Sequence, residues 1–118
     1  MKENVVKDKS FKFAVRIVRL YQYLCEEKRE YVLSKQILRS GTSIGANVEE
    51  ADGGISKADF SNKILLAYKE ATETHYWIRL LKETDYMDKK MYNSLIEDSN
   101  EICKLLFSIL KTSRINKS

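Results

Sequence analysis

The sequence predicts an all-α protein: an antiparallel, up-down-up-down four-helix bundle in one domain that spans residues 1–118. Apolar residues recur every three or four positions along most of the chain, which is the period of an amphipathic helix. Proline is absent, and no hairpin turn joins alternating apolar runs, so strand signals are missing. The predicted helices cover about residues 9–28, 31–52, 57–83 and 88–112, and their short connections favour antiparallel neighbours.

The first helix is predicted from one row of large apolar side chains. The members of this row are Phe13, Ile17, Leu20 and Leu24. A second row widens the apolar face: Ala14, Val18, Tyr21 and Cys25. Apolar residues lapse at Glu26–Glu30, so the first helix should end there and the second should begin shortly afterwards.

The second helix contains the segment RSGTSIGANVEE, in which small residues replace the usual helix formers. The apolar rhythm nevertheless continues through it at Leu33, Ile37, Gly41, Ile44, Val48, Ala51 and Ile55. This phase predicts a continuous helix, although each interior glycine costs about 1 kcal/mol relative to alanine. Because Gly41 and Gly45 lie four residues apart on one surface, we expect them to admit a neighbouring backbone at short range.

A polar row runs beside this apolar row. It consists of Arg39, Ser43, Asn47 and Glu50. Such a row is expected to join neighbouring helices through hydrogen bonds. On the third helix, Glu70, Glu73 and Trp77 share one face. The two carboxylates could act as an acid and a base, but pairing with Arg39 or Asn47 is the favoured interpretation.

The connection between the second and third helices carries several local signals. Gly53–Gly54 predicts a left-handed C-cap. Ser56 with Asp59 resembles a capping box, and Ile55 with Phe60 occupies the positions of a hydrophobic staple. These signals together predict that a helix begins near residue 57.

Two long apolar rows predict the third and fourth helices. The third-helix row is Phe60, Ile64, Ala67, Ala71, Thr74, Ile78 and Leu81. The fourth-helix row is Tyr92, Leu95, Ser99, Ile102, Leu106 and Ile109. Thr84–Asp85, with Asp88 in the first turn, is the predicted start of the fourth helix.

Basic residues form a candidate nucleic-acid surface in a chain of net charge +4. On the first helix, Lys9, Lys12, Arg16 and Arg19 are spaced 3-4-3 and form what is called here the basic ridge, with Asp8 and Glu26 as the nearest acids along the chain. The end of the fourth helix adds a basic tail of Lys111, Arg114 and Lys117. In an up-down-up-down bundle the first helix begins at the end where the fourth helix finishes. The basic tail should therefore lie close to the first half of the ridge, Lys9 and Lys12. The alternative is that these side chains only keep the protein soluble.

Signals for catalysis are weak, and we predict no enzymatic activity, no catalytic residue, no metal site and no cofactor. His75 is the single histidine, whereas a di-iron bundle needs two Glu-x-x-His motifs, and Thr72 stands where the glutamate of such a motif would have to be. Cys25 and Cys103 should lie at different heights in the bundle, too far apart for a disulfide or a shared metal. They are interpreted as small core residues of a reduced, cytoplasmic protein. No membrane span or signal peptide is predicted.

Several motifs resemble those of the bacterial four-helix-bundle proteins that are encoded in intervening sequences of the 23S ribosomal RNA gene. The matching residues of the second helix are Tyr31, Leu33, Gln36, Arg39, Ser40, Ser43, Ile44, Asn47 and Glu50. Those of the third helix are Glu70, Ala71, Glu73, Tyr76, Trp77, Leu80 and Leu81. Nearly the whole chain is covered, and the spacing Gln-x-x-Arg-Ser-x-x-Ser-Ile-x-x-Asn exceeds what amphipathicity demands.

This resemblance implies a bundle that assembles with itself into a ring, often a pentamer. A similar protein is the accessory subunit of the reverse transcriptase of diversity-generating retroelements, and it binds nucleic acid through a basic surface. We therefore expect a homo-oligomer that associates with RNA or DNA. The alternative is an assembly module that holds a protein partner, such as a reverse transcriptase, without touching nucleic acid. In either role, the structural residues would be Arg39, Ser40, Gly41, Ser43, Gly45, Asn47, Glu50, Glu73 and Trp77.

Overall fold

The computed structural model describes residues 2–117, and it describes side chains through residue 113. Within this range the secondary structure is entirely helical: α1 (Lys2–Glu26), α2 (Leu33–Asp52), α3 (Lys57–Glu83) and α4 (Lys89–Lys117). The predicted all-α four-helix bundle is confirmed. The bundle measures 48 × 21 × 19 Å. None of its described helices is both long and apolar enough to cross a membrane.

Each helix runs antiparallel to the next. The start of α1 lies beside the later part of α4, where Lys2 Nζ donates to Ser108 Oγ at 2.6 Å. Farther along α1, Arg16 reaches Asp98, an earlier residue of α4. Neighbouring helices pack around the square, and the diagonal pairs α1–α3 and α2–α4 have no close backbone approach in the described part of the chain.

The core consists of the inward faces of all four helices. The largest of its fully buried side chains are Phe13, Ile17, Leu24, Ile37, Ile44, Ile64, Ile78, Leu81, Ile102 and Leu106. These residues belong to the apolar rows that predicted the helices. Thr74 and Ser99, the polar members of those rows, are also buried, with 0% and 3% of their surfaces exposed.

The first helix begins seven residues earlier than predicted, at Lys2 instead of residue 9. Val6 explains the difference, because its side chain is fully buried and extends the core row by two turns beyond Phe13. The helix also ends two residues earlier than predicted, at Glu26. Arg29 then adopts a left-handed conformation with φ of 56°, and the amide of Glu30 donates to the carbonyl of Leu24 at 2.9 Å.

The second helix begins at Leu33, with Val32 at the N-cap position and the side chain of Glu30 bonded to the amides of its first turn. Its carboxylate accepts hydrogen bonds from the backbone amides of Val32 and Ser34. The Ser34 hydroxyl donates in return to the Glu30 carbonyl at 2.8 Å. The residues before Leu33 thus satisfy free amides at the helix start instead of continuing the helix backwards to residue 31.

Three of the predicted local signals are wrong. Gly53 has φ of −90°, and no described glycine has a positive φ, so α2 does not end in a left-handed glycine. Ile55 is 97% exposed, because it precedes α3 and points outward, so no staple with Phe60 forms. Thr84 caps the end of α3 rather than starting α4.

Two other end signals behave as a helix start requires. Ser56 Oγ accepts from the amide of Asp59 at 3.0 Å, which confirms Ser56 as the N-cap of α3. Asp88 Oδ1 accepts from the amide of Met91 at 2.8 Å and so caps α4, which begins at Lys89.

Candidate nucleic-acid interface

The basic ridge lies along the seam between α1 and α4, and three of its four cations are ion-paired. Lys9 Nζ lies 2.7 Å from Glu101, and Arg16 Nη1 lies 2.5 Å from Asp98. Lys12 pairs at 3.0 Å with Asp8, one turn earlier on the same helix. The hydrogen bond and the charge of Glu101 raise the pKa of Lys9.

The expectation that Asp8 and Glu26 are the acids nearest to the ridge is wrong for Lys9 and Arg16, whereas Asp8 does pair with Lys12. Asp98 and Glu101 of α4 are nearer, because α4 packs beside α1 and places both carboxylates across the seam. The pattern along α1 could not show these acids. The predicted neighbourhood of the first and fourth helices was the signal that could have identified them.

Arg19 differs from the other ridge residues. It is exposed and takes part in none of the ion pairs among the described side chains. With Arg16 and Tyr23 it lines a groove of about 360 Å³ between α1 and α4, whose floor includes Leu20 and Met91. The end of the ridge at Arg19 therefore combines an available guanidinium group with the aromatic ring of Tyr23.

Of the predicted basic tail, only Lys111 has a described side chain, and it is exposed near the end of α4. The side chains of Arg114 and Lys117 lie outside the described residues. The contact of Lys2 with Ser108 shows that the start of α1 and the later part of α4 share one end of the bundle. The convergence of the tail with Lys9 and Lys12 stays a prediction.

The two helical glycines lie inside α2 and face α1, so the predicted continuity of α2 is confirmed. A Cβ atom added to Gly41 would lie only 2.7 Å from Ile17 Cγ1. A Cβ atom added to Gly45 would lie 3.4 Å from the backbone carbonyl oxygen of Ser10. Gly45 thus meets a neighbouring backbone as predicted, whereas Gly41 makes room for a branched side chain.

The polar row of α2 is divided between two roles. Arg39 and Glu50 bridge to α3, the latter by accepting from Lys63 at 3.1 Å. Ser43 and Asn47 instead donate to carbonyls of their own helix, at 2.6 Å and 2.9 Å. Only half of the row therefore joins neighbouring helices as predicted.

Arg39 is the centre of the α2–α3 bridge. Its guanidinium group donates to Glu70 at 2.9 Å and also to Glu73. Trp77 Nε1 donates to the same Glu73 carboxylate at 3.0 Å. These donors, with the bond from Trp77 as the largest cause, lower the pKa of Glu73. The predicted pairing with Arg39 is confirmed, and Asn47 takes no part in it.

Ser40 forms a buried link beneath this bridge. It is fully buried and accepts from the hydroxyl group of Thr74 at 2.8 Å. Thr74 also bonds to the carbonyl of Glu70. Hydrogen-bonded hydroxyl groups are tolerated in a core, so the link joins α2 to α3 without an unsatisfied polar atom.

Of the residues considered for catalysis, His75 and Cys103 both lie beside the hydroxyl group of Ser99. His75 Nδ1 lies 3.3 Å from Ser99 Oγ, and burial, assisted by the charge of Arg79, lowers the pKa of the imidazole. Cys25 and Cys103 are free thiols, and burial raises the pKa of Cys103. Among the described residues, no three His, Cys, Asp or Glu side chains are grouped so that they could hold a metal ion.

The order of the helices and the close contact of Gly41 and Gly45 with α1 identify the chain as a small, antiparallel four-helix-bundle protein. A family model described as 23S rRNA-intervening sequence protein matches residues 2–108. The chain therefore belongs to the 23S rRNA-intervening sequence protein family, as the motifs of the second and third helices predicted.

A solved structure supports the same assignment. The chain is similar to a protein with unknown function from the S23 ribosomal protein family of Bacteroides thetaiotaomicron VPI-5482. The two sequences are 60% identical, the TM-score is 0.92, and the match covers 94% of this chain and 99% of that chain. Among curated proteins, no relative matches the chain.

Proposed function

We propose that this protein is a non-enzymatic homo-oligomer that associates with RNA or DNA through the basic ridge. The observation that carries the proposal is the groove in which Arg16 and Tyr23 lie next to Arg19, whose guanidinium group forms none of the ion pairs among the described side chains. Phosphate oxygens are strong acceptors for arginine, and bases stack on tyrosine rings. The family's description, which refers to an intervening sequence of 23S rRNA, also favours RNA as the ligand.

The ion pairs of the ridge should lower its affinity for nucleic acid without preventing binding. The side chains of Arg16 and Asp98 are 38% and 44% exposed, so their pair is strongly screened by solvent. Exposed pairs contribute about 0–1 kcal/mol, and a phosphate group can replace a carboxylate at small cost. The remaining acids repel phosphate, however, so we expect modest affinity that falls steeply as salt rises.

The test is the binding of a labelled RNA to a double variant, Arg16→Glu with Arg19→Glu, at about 50 mM salt. We expect the wild type to bind RNA in dilute salt and the variant to bind it more weakly, by about tenfold or more. Lys35→Glu with Lys69→Glu is the matched control, since it makes the same charge change at exposed lysines of α2 and α3. Equal binding by the ridge variant and the wild type would show that the ridge is only a solvated face.

Homo-oligomerisation, in a ring such as a pentamer, is supported by an apolar outer face on α1. Phe11, Val15 and Val18 are 65%, 43% and 38% exposed, and their 4-3 spacing places them on one side of the helix. Exposed apolar patches of this kind mark interaction sites. We expect light scattering to give a multiple of the 13.8 kDa chain mass and Phe11→Asp to lower it.

Val32→Asp is the control for this experiment, because Val32 is 70% exposed but lies outside the outer face of α1. The control should keep the wild-type mass. A wild-type protein that scatters as a monomer would remove oligomerisation from the proposal.

The second candidate function is an assembly module that holds a protein partner, such as a reverse transcriptase, in the reducing cytoplasm. The same apolar outer face supports it, and the two free thiols fit such a compartment. RNA binding that responds to the ridge variant and not to the lysine control favours the first candidate. Absence of any RNA binding favours the second.

A further inference from the structure

A second cationic region lies at the opposite side of α4, where the end of α3 faces the start of α4. Here Tyr76, Arg79, Lys82, Lys89 and Tyr92 line an open cleft of about 500 Å³, called here the α3–α4 cleft. Its volume is within the range of small-molecule sites in proteins. None of its residues was predicted to bind a ligand, and Tyr92 was assigned to the apolar row of the fourth helix.

The charge balance of the α3–α4 cleft is positive. Arg79, Lys82 and Lys89 line it together with a single acid, Glu83. None of these three cations takes part in an ion pair among the side chains that the structure describes. The basic ridge has three carboxylate partners within 3.0 Å of its cations, so the cleft offers more available positive charge.

Two tyrosine rings are placed among these cations. Tyr76 is 52% exposed, and its ring packs edge-to-face on Trp77 with centroids 5.2 Å apart. Trp77 is itself held by its hydrogen bond to Glu73, so the bridge from Arg39 fixes the platform on which Tyr76 lies. Tyr92 is partly buried, and Lys82 Nζ lies 6.0 Å from the centroid of its ring.

We propose that the α3–α4 cleft binds unpaired bases of single-stranded nucleic acid. The exposed ring of Tyr76 supplies a stacking surface, and Arg79 and Lys89 contact the flanking phosphates. This inference rests on the proposed nucleic-acid association, but it names a separate site and a narrower class of ligand.

The geometry favours single strands over duplexes. In a duplex the faces of the bases are covered by their neighbours, whereas an unpaired base can stack on an aromatic side chain. The α3–α4 cleft lies between two adjacent helices, and its three cations and two rings line one open volume of about 500 Å³. Such an arrangement suits a few nucleotides of a loop or a free end.

The experiment measures the binding of a fluorescein-labelled single-stranded oligouridine of about 16 nucleotides, and of an RNA duplex of equal length, by fluorescence anisotropy. We expect Tyr76→Ala to weaken binding of the single strand by about tenfold. Binding of the duplex should change less than twofold. Tyr76→Phe keeps the ring and should retain wild-type affinity.

Phe107→Ala is the matched control, because Phe107 is an equally exposed aromatic residue at 53% and lies on α4 outside the α3–α4 cleft. Its affinity for the single strand should equal that of the wild type. Lys89→Glu tests the phosphate contact independently of any change in aromatic packing, and it should also weaken single-strand binding.

Trp77 provides a direct readout, since it is the single tryptophan of the chain and contacts Tyr76. Unlabelled oligouridine should quench its fluorescence in the wild type, and Lys89→Glu should reduce that quenching. If Tyr76→Ala and Lys89→Glu both bind the single strand as the wild type does, the inference is overturned while nucleic-acid association stands. If the wild type binds neither RNA, both proposals fail together.

Discussion

The two sides of α1 contact their neighbours in different ways. On the α2 side, Gly41 lies against Ile17 and Gly45 against the backbone of Ser10, so the contact is close and depends on shape. On the α4 side, Lys9 and Arg16 reach across to acids through partly exposed ion pairs. Close packing tolerates little added volume, whereas exposed ion pairs contribute only about 0–1 kcal/mol each. The free energy of unfolding should therefore depend mainly on the contact of α1 with α2. The cations on the α4 side are then free to exchange their carboxylate partners for a ligand.

The largest expected effect concerns the glycine side. Gly41→Val places a branched side chain where even a Cβ atom would approach Ile17 to 2.7 Å, so we expect a loss of about 3 kcal/mol in the free energy of unfolding. Urea denaturation followed by circular dichroism measures it. Gly45→Ala is the matched control: its Cβ would make an ordinary 3.4 Å contact, and alanine favours the helix by about 1 kcal/mol. Equal destabilisation by both changes would contradict the conclusion that stability depends on the close contact between Gly41 and Ile17.

A smaller effect is expected on the ion-paired side. Asp98→Asn with Glu101→Gln removes both α4 acids from the ridge, and unfolding free energy should change by less than about 1 kcal/mol. The same change should tighten RNA binding about two- to fivefold at about 50 mM salt, because two charges that repel phosphate are gone. Weaker RNA binding by this variant would indicate that the acids orient the cations for their ligand.

The contact between α2 and α3 combines a buried hydrogen bond with partly exposed ion pairs. The effect of pH on its contribution to stability is expected to be the smallest of the three effects. The pKa of Glu73 is lowered from an ordinary value of 4.5, so its bonds to Trp77 and Arg39 stabilise the fold fully above that pH. This contribution is lost as pH falls through the lowered pKa of the folded state. Wild type should therefore be more stable than Glu73→Gln near neutral pH, and the difference should shrink below about pH 4.

Thermal unfolding between about pH 3 and pH 7 measures this difference, with Glu97→Gln as the control. Glu97 is an exposed carboxylate of α4 that forms none of the ion pairs among the described side chains. A pH-independent gap between wild type and Glu73→Gln would contradict the assignment of Glu73 as an ionised partner.

The sequence predicted those features that depend on helical period. The apolar phase through Gly41 and Gly45 indicated a continuous α2, and the shared face of Glu70 and Glu73 indicated a bridge to Arg39. Both predictions hold because residues three or four apart lie on one side of a helix whatever surrounds them.

Features that depend on neighbouring helices were predicted less well. The acids that pair with Lys9 and Arg16 are more than 80 positions away in the chain, so the ridge appeared less neutralised than it is. Left-handed residues occur at Arg29 after α1 and at Asp85 after α3 rather than at Gly53, because the following amides, of Glu30 and Tyr86, bond back to the carbonyls of Leu24 and Leu81. Local composition could not reveal either fact.

The most direct test of the account is the salt dependence of RNA binding for the wild type and for Arg16→Glu with Arg19→Glu. Each phosphate contact to a single strand contributes about 0.7 to the slope of log affinity against log salt. We predict that the variant has a slope flatter by about 1.4, corresponding to two lost contacts, while the Lys35→Glu with Lys69→Glu control keeps the wild-type slope. Identical slopes for the wild type and the ridge variant would contradict binding through the ridge.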